Sequence, residues 1–440
     1  MPNPYLPRWE YIPDGEPRVF GNRIYVYGSH DLAGSDKFCD YKLKVWSAPI
    51  DNLSNWTCHG TVFHTRAVDN EKSDTPWTDG ELYAPDVVEK DGKYYLYAYI
   101  FYAKGCVAVS DKPEGPFQLV SQYQVPENSP QVLKDGVFVD PGVLVDDDGR
   151  VYIYYGYQAA YMAEINAFNM FEIIDGSYIS DIIPTETPYD FFEACSLRKI
   201  ESTYYLIYSP KIGSRLAYAT AASPRGPFQY RGVIIDNGVD YPGGNNHGSI
   251  CNINGQWYIF YHRMTNGTIM SRRACVERIE IQRDGTIEQV EMTSLGFEIS
   301  LSPYEIVSSD IACVLKGGCF ITEKNIFTRV ITNITNGCII GYKHFDFGDD
   351  FSSKSMDFNI FIHGTGCKSK LHILIDDYET GEEIGTIEIG SDDGVYNTSV
   401  KNVTGIHALY FIIQDSFEGF FTDLFKGRQL FEIHSFVFTK

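Results

Sequence analysis

The sequence predicts an all-β protein, in which a five-bladed β-propeller is followed by a β-sandwich of jelly-roll type. The first observation is a repeated motif, a tight-turn dipeptide followed by alternating apolar and tyrosine residues. The second is that no amphipathic stretch long enough for a helix interrupts these repeats. The third is that the tyrosine motif stops near residue 290, where short alternating strands of a different pattern begin.

Five copies of the tyrosine motif mark the units of the predicted propeller. GNRIYVYGS (21–29) is the first copy and NGQWYIFYH (254–262) is the last. The central tyrosines of the five copies are Tyr25, Tyr95, Tyr152, Tyr205 and Tyr258. Their spacings of 70, 57, 53 and 53 residues favour a propeller over a single large sandwich, because sandwiches do not repeat one hairpin at a nearly constant period.

The loss of the motif also divides the chain into domains. We predict a propeller over residues 1–300 and a smaller β-sandwich over 301–440. No tryptophan occurs beyond Trp257, and segments such as LHILIDD (371–377) alternate in the manner of half-buried strands.

Charge and cysteine content limit the possible partners. The chain has 36 basic and 58 acidic residues, a net charge of −22 and a pI near 4.8. Such a field repels phosphate, so we expect no nucleic-acid or membrane partner and favour a neutral, hydroxyl-rich ligand. The ten cysteines include no CxxC pair, which argues against a zinc site and favours free thiols. Without a secretory signal or a long apolar run, we expect a cytoplasmic protein, and its oligomeric state is not predicted.

One polar residue per predicted blade falls at a similar position relative to the tyrosine motif. The innermost strand of a blade should precede this hairpin, so such residues are expected to face the central channel. Counted back 9 to 12 residues from the central tyrosines, they are Asp14, Asp86, Asp140, Glu193 and His247. Asp14 and Asp140 alone would be interpreted as turn residues, but the shared position favours a functional cluster.

The chemistry of this cluster suits hydrolysis of an acetal. Carboxylates gathered in an apolar channel cannot all stay ionised, so one should keep its proton while another stays charged. General acid–base hydrolysis needs that division, with one group donating a proton and the other activating water. The sequence contains no GxSxG, HExxH or GxxxxGK[ST] motif, so other common hydrolase classes find no support.

The residues around the cluster resemble glycoside hydrolase family 43. The resemblance extends over about residues 1–295. It is carried by PDGEPRVFGNRIYVYGSHD (13–31), FCDYKLKVWSAPIDNLSNW (38–56), LYAPDVVEKDGKYYLYAY (82–99), FVDPGVLVDDDGRVYIYYG (138–156), FFEACSLRK (191–199), NNHGSICNINGQWYIFYHR (245–263) and SRRACVERI (271–279). It implies a five-bladed propeller of inverting hydrolases that act mostly on arabinose- and xylose-containing plant polysaccharides and require no cofactor.

Carried onto this sequence, the resemblance assigns three catalytic carboxyl groups. Asp14 corresponds to the general base, Glu193 to the general acid, and Asp140 to a third carboxylate that tunes and orients the acid. Many relatives have an Asp-Pro pair at the base, whereas here a glycine follows Asp14. We prefer Asp14 to the nearby Glu16 as the base, because Asp14 keeps its distance to the following hairpin.

The resemblance also implies residues that bind the substrate. His30 and Arg272 are expected to contact the sugar in the deepest subsite, and Trp77 and Phe192 to form an apolar wall. His247 corresponds to a channel histidine that in some relatives lies near a bound calcium ion or a water cluster. A water-mediated, structural calcium site at His247 is therefore an expectation.

The C-terminal part, from about 310 to 440, resembles carbohydrate-binding module family 6. FDFGDDFSSKSMDFNIFI (345–362) carries part of this likeness. Such modules often grip sugars with tryptophan, which is absent here, so Tyr396 and phenylalanines are the candidate contacts. We favour a structural role for the module.

The predicted function is an inverting hydrolase that releases α-L-arabinofuranosyl or β-D-xylosyl units from oligosaccharides, most simply from a chain end. Its acid and base should lie about 6.5–9.5 Å apart. The sequence does not separate arabinofuranosidase from xylosidase. The alternatives are a hydrolase of another glycoside, such as a galactofuranoside or a fructan, and a non-catalytic sugar-binding propeller. The three carboxylates argue against the non-catalytic alternative.

Overall fold

The computed structural model describes residues 1–67, 72–350, 352–418 and 422–440. Its regular structure is nearly all β-strand, which confirms the predicted fold class. Five small antiparallel sheets follow one another along the chain as the blades of a propeller, and two larger sheets then form a sandwich. Among the described residues, no helix is long and apolar enough to cross a membrane.

The blades are meanders in which each strand pairs with the next one along the chain. Blade I contains β1 (Glu16–Phe20), β2 (Arg23–Gly28), β3 (Lys42–Pro49) and β4 (Thr57–His64). Blade II contains β5 (Leu82–Lys90), β6 (Lys93–Ile100), β7 (Cys106–Ser110) and β8 (Gln118–Gln122). Blade III contains β9 (Gly142–Val145), β10 (Val151–Tyr155), β11 (Tyr161–Ile165) and β12 (Ile179–Ser180). Blade IV contains β13 (Phe191–Ile200), β14 (Thr203–Pro210), β15 (Arg215–Ala221) and β16 (Gln229–Asp236), and blade V contains β17 (Ile250–Ile253), β18 (Gln256–Thr265) and β19 (Thr268–Ile279).

The tyrosine motif forms the hairpin between the first and second strands of each blade. In blade II, the turn residues Asp91 and Gly92 have φ angles of 52° and 75°, the left-handed pair that a type I′ turn requires. Alternate side chains of β10 enter two different core clusters, Tyr154 on one face and Tyr155 on the other. Tyrosine-rich strands suit this position because both faces of a blade are covered by neighbouring blades.

The N-terminal segment closes the ring against blade V. Asn3 Nδ2 donates to the Val276 carbonyl oxygen at 2.8 Å, and the Val276 N–H donates to Asn3 Oδ1 at 2.9 Å. Gly15 and Gly248 form a parallel bridge that joins the first blade to the last. The N-terminal segment and the last blade are therefore hydrogen-bonded to each other beside the channel mouth.

The sandwich has one sheet in the order β22-β23-β30-β25-β28, with β20 beside β30, and a second in the order β21-β24-β29-β26-β27. Its strands are β20 (Val307–Ser308), β21 (Val314–Lys316), β22 (Phe320–Asn325), β23 (Thr328–Ile334), β24 (Ile339–Asp346), β25 (Ser355–Gly364), β26 (Ser369–Ile375), β27 (Glu382–Ile389), β28 (Gly394–Lys401), β29 (Ile406–Asp415) and β30 (Phe431–Thr439). The short helices are α1 (Gln131–Lys134) and two 3₁₀ turns, Ser309–Ile311 and Thr422–Phe425.

A buried interface joins the two domains. Arg273 in β19 lies 3.2 Å from Asp310 of the sandwich, and both side chains are only 2% exposed. Arg263 in β18 donates to the Ala312 carbonyl oxygen at 3.2 Å. Charged groups buried with their partners fix the orientation of the two domains, because breaking such a pair is costly.

Candidate active site

The predicted channel residues gather where the innermost strands begin. Asp14, Asp140 and His247 come two or three residues before β1, β9 and β17, and Glu193 is the third residue of β13. The innermost strands run in the same direction, so their first residues meet at one mouth. Asp14 and Asp140 have φ angles of 56° and 50°, which aspartate tolerates better than most residues. A β-bulge at Glu193 redirects its side chain.

A cavity of about 590 Å³ opens at this mouth. Six of the eight predicted site residues line it, namely Asp14, Asp140, Phe192, Glu193, His247 and Arg272. They come from four different blades, so the fold assembles the site from distant parts of the sequence. The volume is typical of a pocket for a small ligand.

Asp14 is a buried carboxylate with cationic and hydroxyl partners. Its Oδ1 accepts a hydrogen bond from Arg272 Nη1 at 2.8 Å, and its Oδ2 accepts one from Ser29 Oγ at 2.6 Å. Burial alone would raise the pKa of Asp14, but Arg272, two nearby histidines and Ser29 outweigh it and hold the pKa below its ordinary value. Asp14 is therefore ionised in neutral solution, as a general base must be.

Glu193 has the opposite electrostatic environment. Burial, and after it the charge of Asp14, raises the pKa of Glu193 to about 7, although Arg272 and a hydrogen bond from Asn245 act in the other direction. Below this pH, Glu193 is mostly protonated and can donate a proton. One cavity thus holds an ionised carboxylate and a neutral carboxylic acid.

Asp140 supplies the third carboxyl group. Burial, Glu193 and Asp14 raise the pKa of Asp140 well above its ordinary value. Its Oδ2 lies 3.7 Å from His247 Nδ1. Asp140 and Glu193 titrate as a pair, because neither ionises freely beside the charge of Asp14. The role of Asp140 in tuning the acid stays a prediction.

Arg272 is the cation of the site. Its Nε and Nη2 donate to Asp31 Oδ2 at 2.8 Å and Oδ1 at 3.0 Å, which leaves Nη1 for Asp14. The Arg272 backbone N–H also donates to Asp31 Oδ2, at 2.9 Å. Asp31 thus fixes the guanidinium plane. Sequence reasoning missed Asp31, although it ends the segment 13–31 that carries part of the family resemblance.

His262 is a second residue that the sequence did not single out. The Asp14 N–H donates to its Nδ1 at 3.3 Å, so Nε2 carries the ring hydrogen and donates to the Asn245 carbonyl oxygen at 3.0 Å. Burial, and after it Arg272, lowers the pKa of His262 to about 3, so the ring is neutral. Its position at the end of the fifth tyrosine motif was the available signal.

Comparison with known families identifies this arrangement. The family model described as glycosyl hydrolases family 43 matches residues 16–287, well over half of the chain. The chain belongs to this family. It is therefore a glycoside hydrolase, which confirms the predicted enzyme class, and family 43 enzymes need no cofactor.

Similar proteins cover the whole chain or its propeller. A xylosidase/arabinosidase of Thermoclostridium stercorarium is 36% identical, over 94% of this chain and 96% of that protein. The crystal structure of a family 43 arabinoxylan arabinofuranohydrolase from Bacillus subtilis, in complex with cellotetraose, has a TM-score of 0.56 and 23% identity, over 100% of this chain and 97% of that one, and supports the fold. A family 43 β-xylosidase/α-arabinofuranosidase from a compost microbial metagenome, in complex with xylotriose, has a TM-score of 0.55 and 29% identity, over 66% of this chain and 99% of that one. The sandwich of this family 43 protein is consistent with a module of carbohydrate-binding family 6 type.

The residues near His247 do not fit direct calcium binding. Ca²⁺ takes about six to eight oxygen ligands. The carboxylate oxygens near His247 Nδ1 belong to Asp14 at 3.9 Å and Asp140 at 3.7 Å, and Asp14 already accepts from Arg272. Within the described part of this family 43 chain, no group of three or more His, Cys, Asp or Glu residues could hold a metal ion.

His30 and Trp77 lie away from the cavity lining. His30 is buried between Glu10, with Nε2 3.2 Å from Oε1, and Asp40, with Nδ1 3.1 Å from Oδ2. Trp77 donates its indole N–H to the Lys104 carbonyl oxygen at 3.1 Å and packs against the core between blades I and II. Their positions do not support the predicted sugar contacts, because residues of the connecting segments take up the polar groups of both side chains.

Aromatic side chains that the sequence did not single out form the rim of the cavity. They are Phe38, Tyr83, Tyr99, Phe101, Tyr102 and Tyr157. Tyr102 is 87% exposed, with its ring centroid 4.0 Å from that of Phe101. Tyr157 lies across Phe192, at 5.0 Å between centroids. The aromatic run YLYAYIFY (95–102) was the sequence signal for part of this rim.

Proposed function

We propose that this family 43 hydrolase removes β-D-xylosyl or α-L-arabinofuranosyl units from the non-reducing ends of plant-derived oligosaccharides. The observation that carries the proposal is the pairing, in one cavity, of ionised Asp14 with Glu193, whose pKa is raised to about 7. The similarity to a xylosidase/arabinosidase over nearly the whole chain supports the choice of sugars.

The proposed reaction is a single displacement at the anomeric carbon. A water molecule gives one proton to Asp14 while its oxygen bonds to that carbon. The bond from the carbon to the leaving oxygen breaks, and Glu193 gives its proton to that oxygen. The sugar is released with inverted configuration, which requires a separation of about 6.5–9.5 Å between the two carboxyl groups. Solvent then returns both groups to their starting states.

Arg272 and the aromatic rim would assist this reaction without exchanging protons. The guanidinium keeps Asp14 ionised and lies 5.0 Å from the centroid of the Phe38 ring. Apolar ring faces at the rim would cover the C–H faces of a sugar and exclude water from the cavity.

The role of Glu193 can be tested with leaving groups of different quality. We expect Glu193→Gln to lower kcat/KM by about 10²–10⁴ on xylobiose or methyl xyloside, whose alkoxide leaving groups need a proton. The loss should be much smaller on a dinitrophenyl xyloside, which departs without one. The matched control Glu201→Gln lies at the exposed hairpin turn of the same blade and should leave both rates unchanged. Equal losses on both substrates would contradict the acid role.

The sugar and the stereochemistry need separate measurements. Aryl β-D-xyloside, α-L-arabinofuranoside and β-D-galactofuranoside should be assayed side by side, with release from either of the first two expected. Proton NMR of the first sugar released from the β-xyloside should show the α-anomer. The β-anomer as first product would contradict the inverting mechanism, and no release from any of the three would favour a non-catalytic propeller.

A calcium ion held near His247 through water is a separate proposal, and no step above depends on it. The similar β-xylosidase/α-arabinofuranosidase structure from a compost metagenome is of a calcium-free form. Metal analysis of the purified protein, before and after chelation, is the test. About one calcium per chain would support the proposal, and none would contradict it.

A further inference from the structure

A second groove, of about 360 Å³, lies at the junction of the two domains. It runs between the hairpin that joins β18 to β19, the loop that precedes His247, and the start of β22. Ile269 lines both this groove and the catalytic cavity, so the two spaces adjoin. We call it the interdomain groove, and the side chains that form its walls include Pro242, Met264, Thr268, Ile269 and Phe320.

The sandwich holds one wall of the interdomain groove through Asn266. The Asn266 N–H donates to the Ile321 carbonyl oxygen at 2.7 Å, and its side-chain Oδ1 accepts from the Glu323 N–H at 2.9 Å. The ring of Phe320 lies directly against Gly267, where a Cβ atom would come within 3.2 Å of it. The hairpin that carries Ile269 is therefore fixed on the edge strand β22.

The sandwich holds the opposite wall through Asp240. Asp240 Oδ1 accepts from Lys316 Nζ at 3.0 Å and from the Tyr378 hydroxyl at 3.1 Å. This loop continues through the groove wall to Asn245, which lines the catalytic cavity together with Glu193. The groove therefore borders the side of the cavity from which the proposed acid acts, and a leaving group must depart on that side.

The chemistry of the groove suits a neutral saccharide. The described residues that line it carry no charged side chain, and Met264, Ile269 and Phe320 give it apolar surfaces. A pyranose ring presents apolar C–H faces to such surfaces and keeps its hydroxyl groups at the wet edges. A phosphorylated or acidic ligand would find no countercharge among these residues.

We propose that the interdomain groove is a leaving-group subsite, in which Phe320 of the sandwich supports the saccharide chain that remains after the terminal sugar is cut. The inference rests on the proposed function and extends it. The C-terminal domain then forms part of the substrate-binding surface of the catalytic domain, instead of acting as a separate binding module.

The test compares a long leaving group with a short one in the full chain. The quantity measured is the ratio of kcat/KM for xylotriose to kcat/KM for 4-nitrophenyl β-D-xyloside. If the enzyme hydrolyses the aryl α-L-arabinofuranoside faster than the aryl xyloside, the ratio is taken between arabinotriose and that aryl arabinofuranoside instead. Phe320→Ala should lower this ratio about tenfold, equivalent to about 1.4 kcal/mol. The control Phe327→Ala removes a 70% exposed phenylalanine from the turn between β22 and β23 and should leave the ratio unchanged.

A second variant guards against loss of folding in Phe320→Ala. Thr268→Phe fills the groove from a strand position that accepts aromatic residues, and it should lower the same ratio. A ratio that neither variant changes would overturn this inference alone, as would equal losses on both substrates by folded protein. A wild-type enzyme that releases sugar from no aryl glycoside would overturn the proposed function, and this inference with it.

Discussion

The carboxylates of the propeller channel fall into two groups that differ in how their charge is balanced. At the mouth, Asp14, Asp140 and Glu193 have one arginine among the described residues of the cavity lining, Arg272, and Asp31 also binds it. Farther along the innermost strands, Glu16 Oε2 lies 2.5 Å from Arg198 Nη2. Asp86 Oδ2 lies 2.6 Å from Arg18 Nη2. The same residue types thus occur in one channel with very different supplies of positive charge.

The candidate site has fewer cations for each carboxyl group than the ion pairs farther along the channel. Where positive charge is short, burial and mutual repulsion leave protons on Glu193 and Asp140, and proton transfer becomes available. Where a carboxylate has its own arginine, the ion pair stabilises the channel. Arg198 and Arg18 keep the pKa of Glu16 below its ordinary value despite burial, whereas burial still raises the pKa of Asp86, although Arg18 acts in the other direction. The following predictions depend on this difference.

The largest expected effect separates Asp14 from Glu16, the two candidates for the general base. Asp14→Asn should lower kcat by about 10²–10⁴, because the amide cannot accept a proton from water. Glu16→Gln should lower stability but leave kcat of the folded enzyme within about threefold, since its side chain pairs with Arg198 outside the cavity lining. Steady-state kinetics on an aryl glycoside decides between them. A collapse of kcat in Glu16→Gln alone would reverse the assignment.

The second effect concerns stability instead of rate. Arg18→Met leaves the fully buried Asp86 without its ion-pair partner, and we expect a loss of about 3–5 kcal/mol in the free energy of unfolding. The double variant Arg18→Met/Asp86→Leu should recover much of that loss, because it removes the unpaired charge as well. Urea denaturation measures both. Full stability in the single variant would mean that the pair does not hold the channel together.

The third effect is the pH dependence of the wild-type enzyme. Because Glu193 must be protonated to act as the acid, kcat/KM should fall about tenfold for each unit of pH above the pKa of Glu193, at about 7. No decline is expected between pH 7 and pH 5, since the pKa of Asp14 lies below its ordinary value and the base stays ionised. A decline that begins on the acidic side of pH 6 would contradict the assignment of Asp14 as the ionised partner.

The sequence was most informative where the repeat determined position. Counting back from each tyrosine motif identified Asp140, Glu193 and His247, because strands of one direction bring equivalent positions to the same mouth. Asp86, whose offset was two residues shorter, lies inside β5 and pairs with Arg18. The number of residues between the polar residue and the central tyrosine therefore distinguished Asp86, inside the channel, from the residues at its mouth.

The remainder of the site depends on contacts that no local pattern encodes. Trp77, taken from resemblance alone, points into the core between blades because its loop packs there. Asp31 accepts a hydrogen bond from Arg272, which is 241 positions away in the sequence. Asn266 binds the edge strand of the sandwich, and strand alternation alone does not show which strand lies at that edge. Such long-range pairs follow from the closed ring and from the domain interface, both of which are properties of the folded chain.

The smallest predicted effect concerns the contribution of a single side chain, Asn245, to the pKa of Glu193. Asn245 donates to the carboxyl group of Glu193 and favours its ionised form, so Asn245→Ala should raise the pKa of Glu193. At pH 8, kcat/KM relative to its maximum should then rise about two- to fivefold, the value of one modest hydrogen bond. The control Asn237→Ala removes a buried asparagine of the same loop, which donates to the His262 carbonyl oxygen and not to the acid, and it should leave the pH profile unchanged. A shift of the alkaline limb to lower pH in Asn245→Ala would mean that this hydrogen bond stabilises the protonated acid, and that Asn245 belongs with the groups that keep the proton on Glu193.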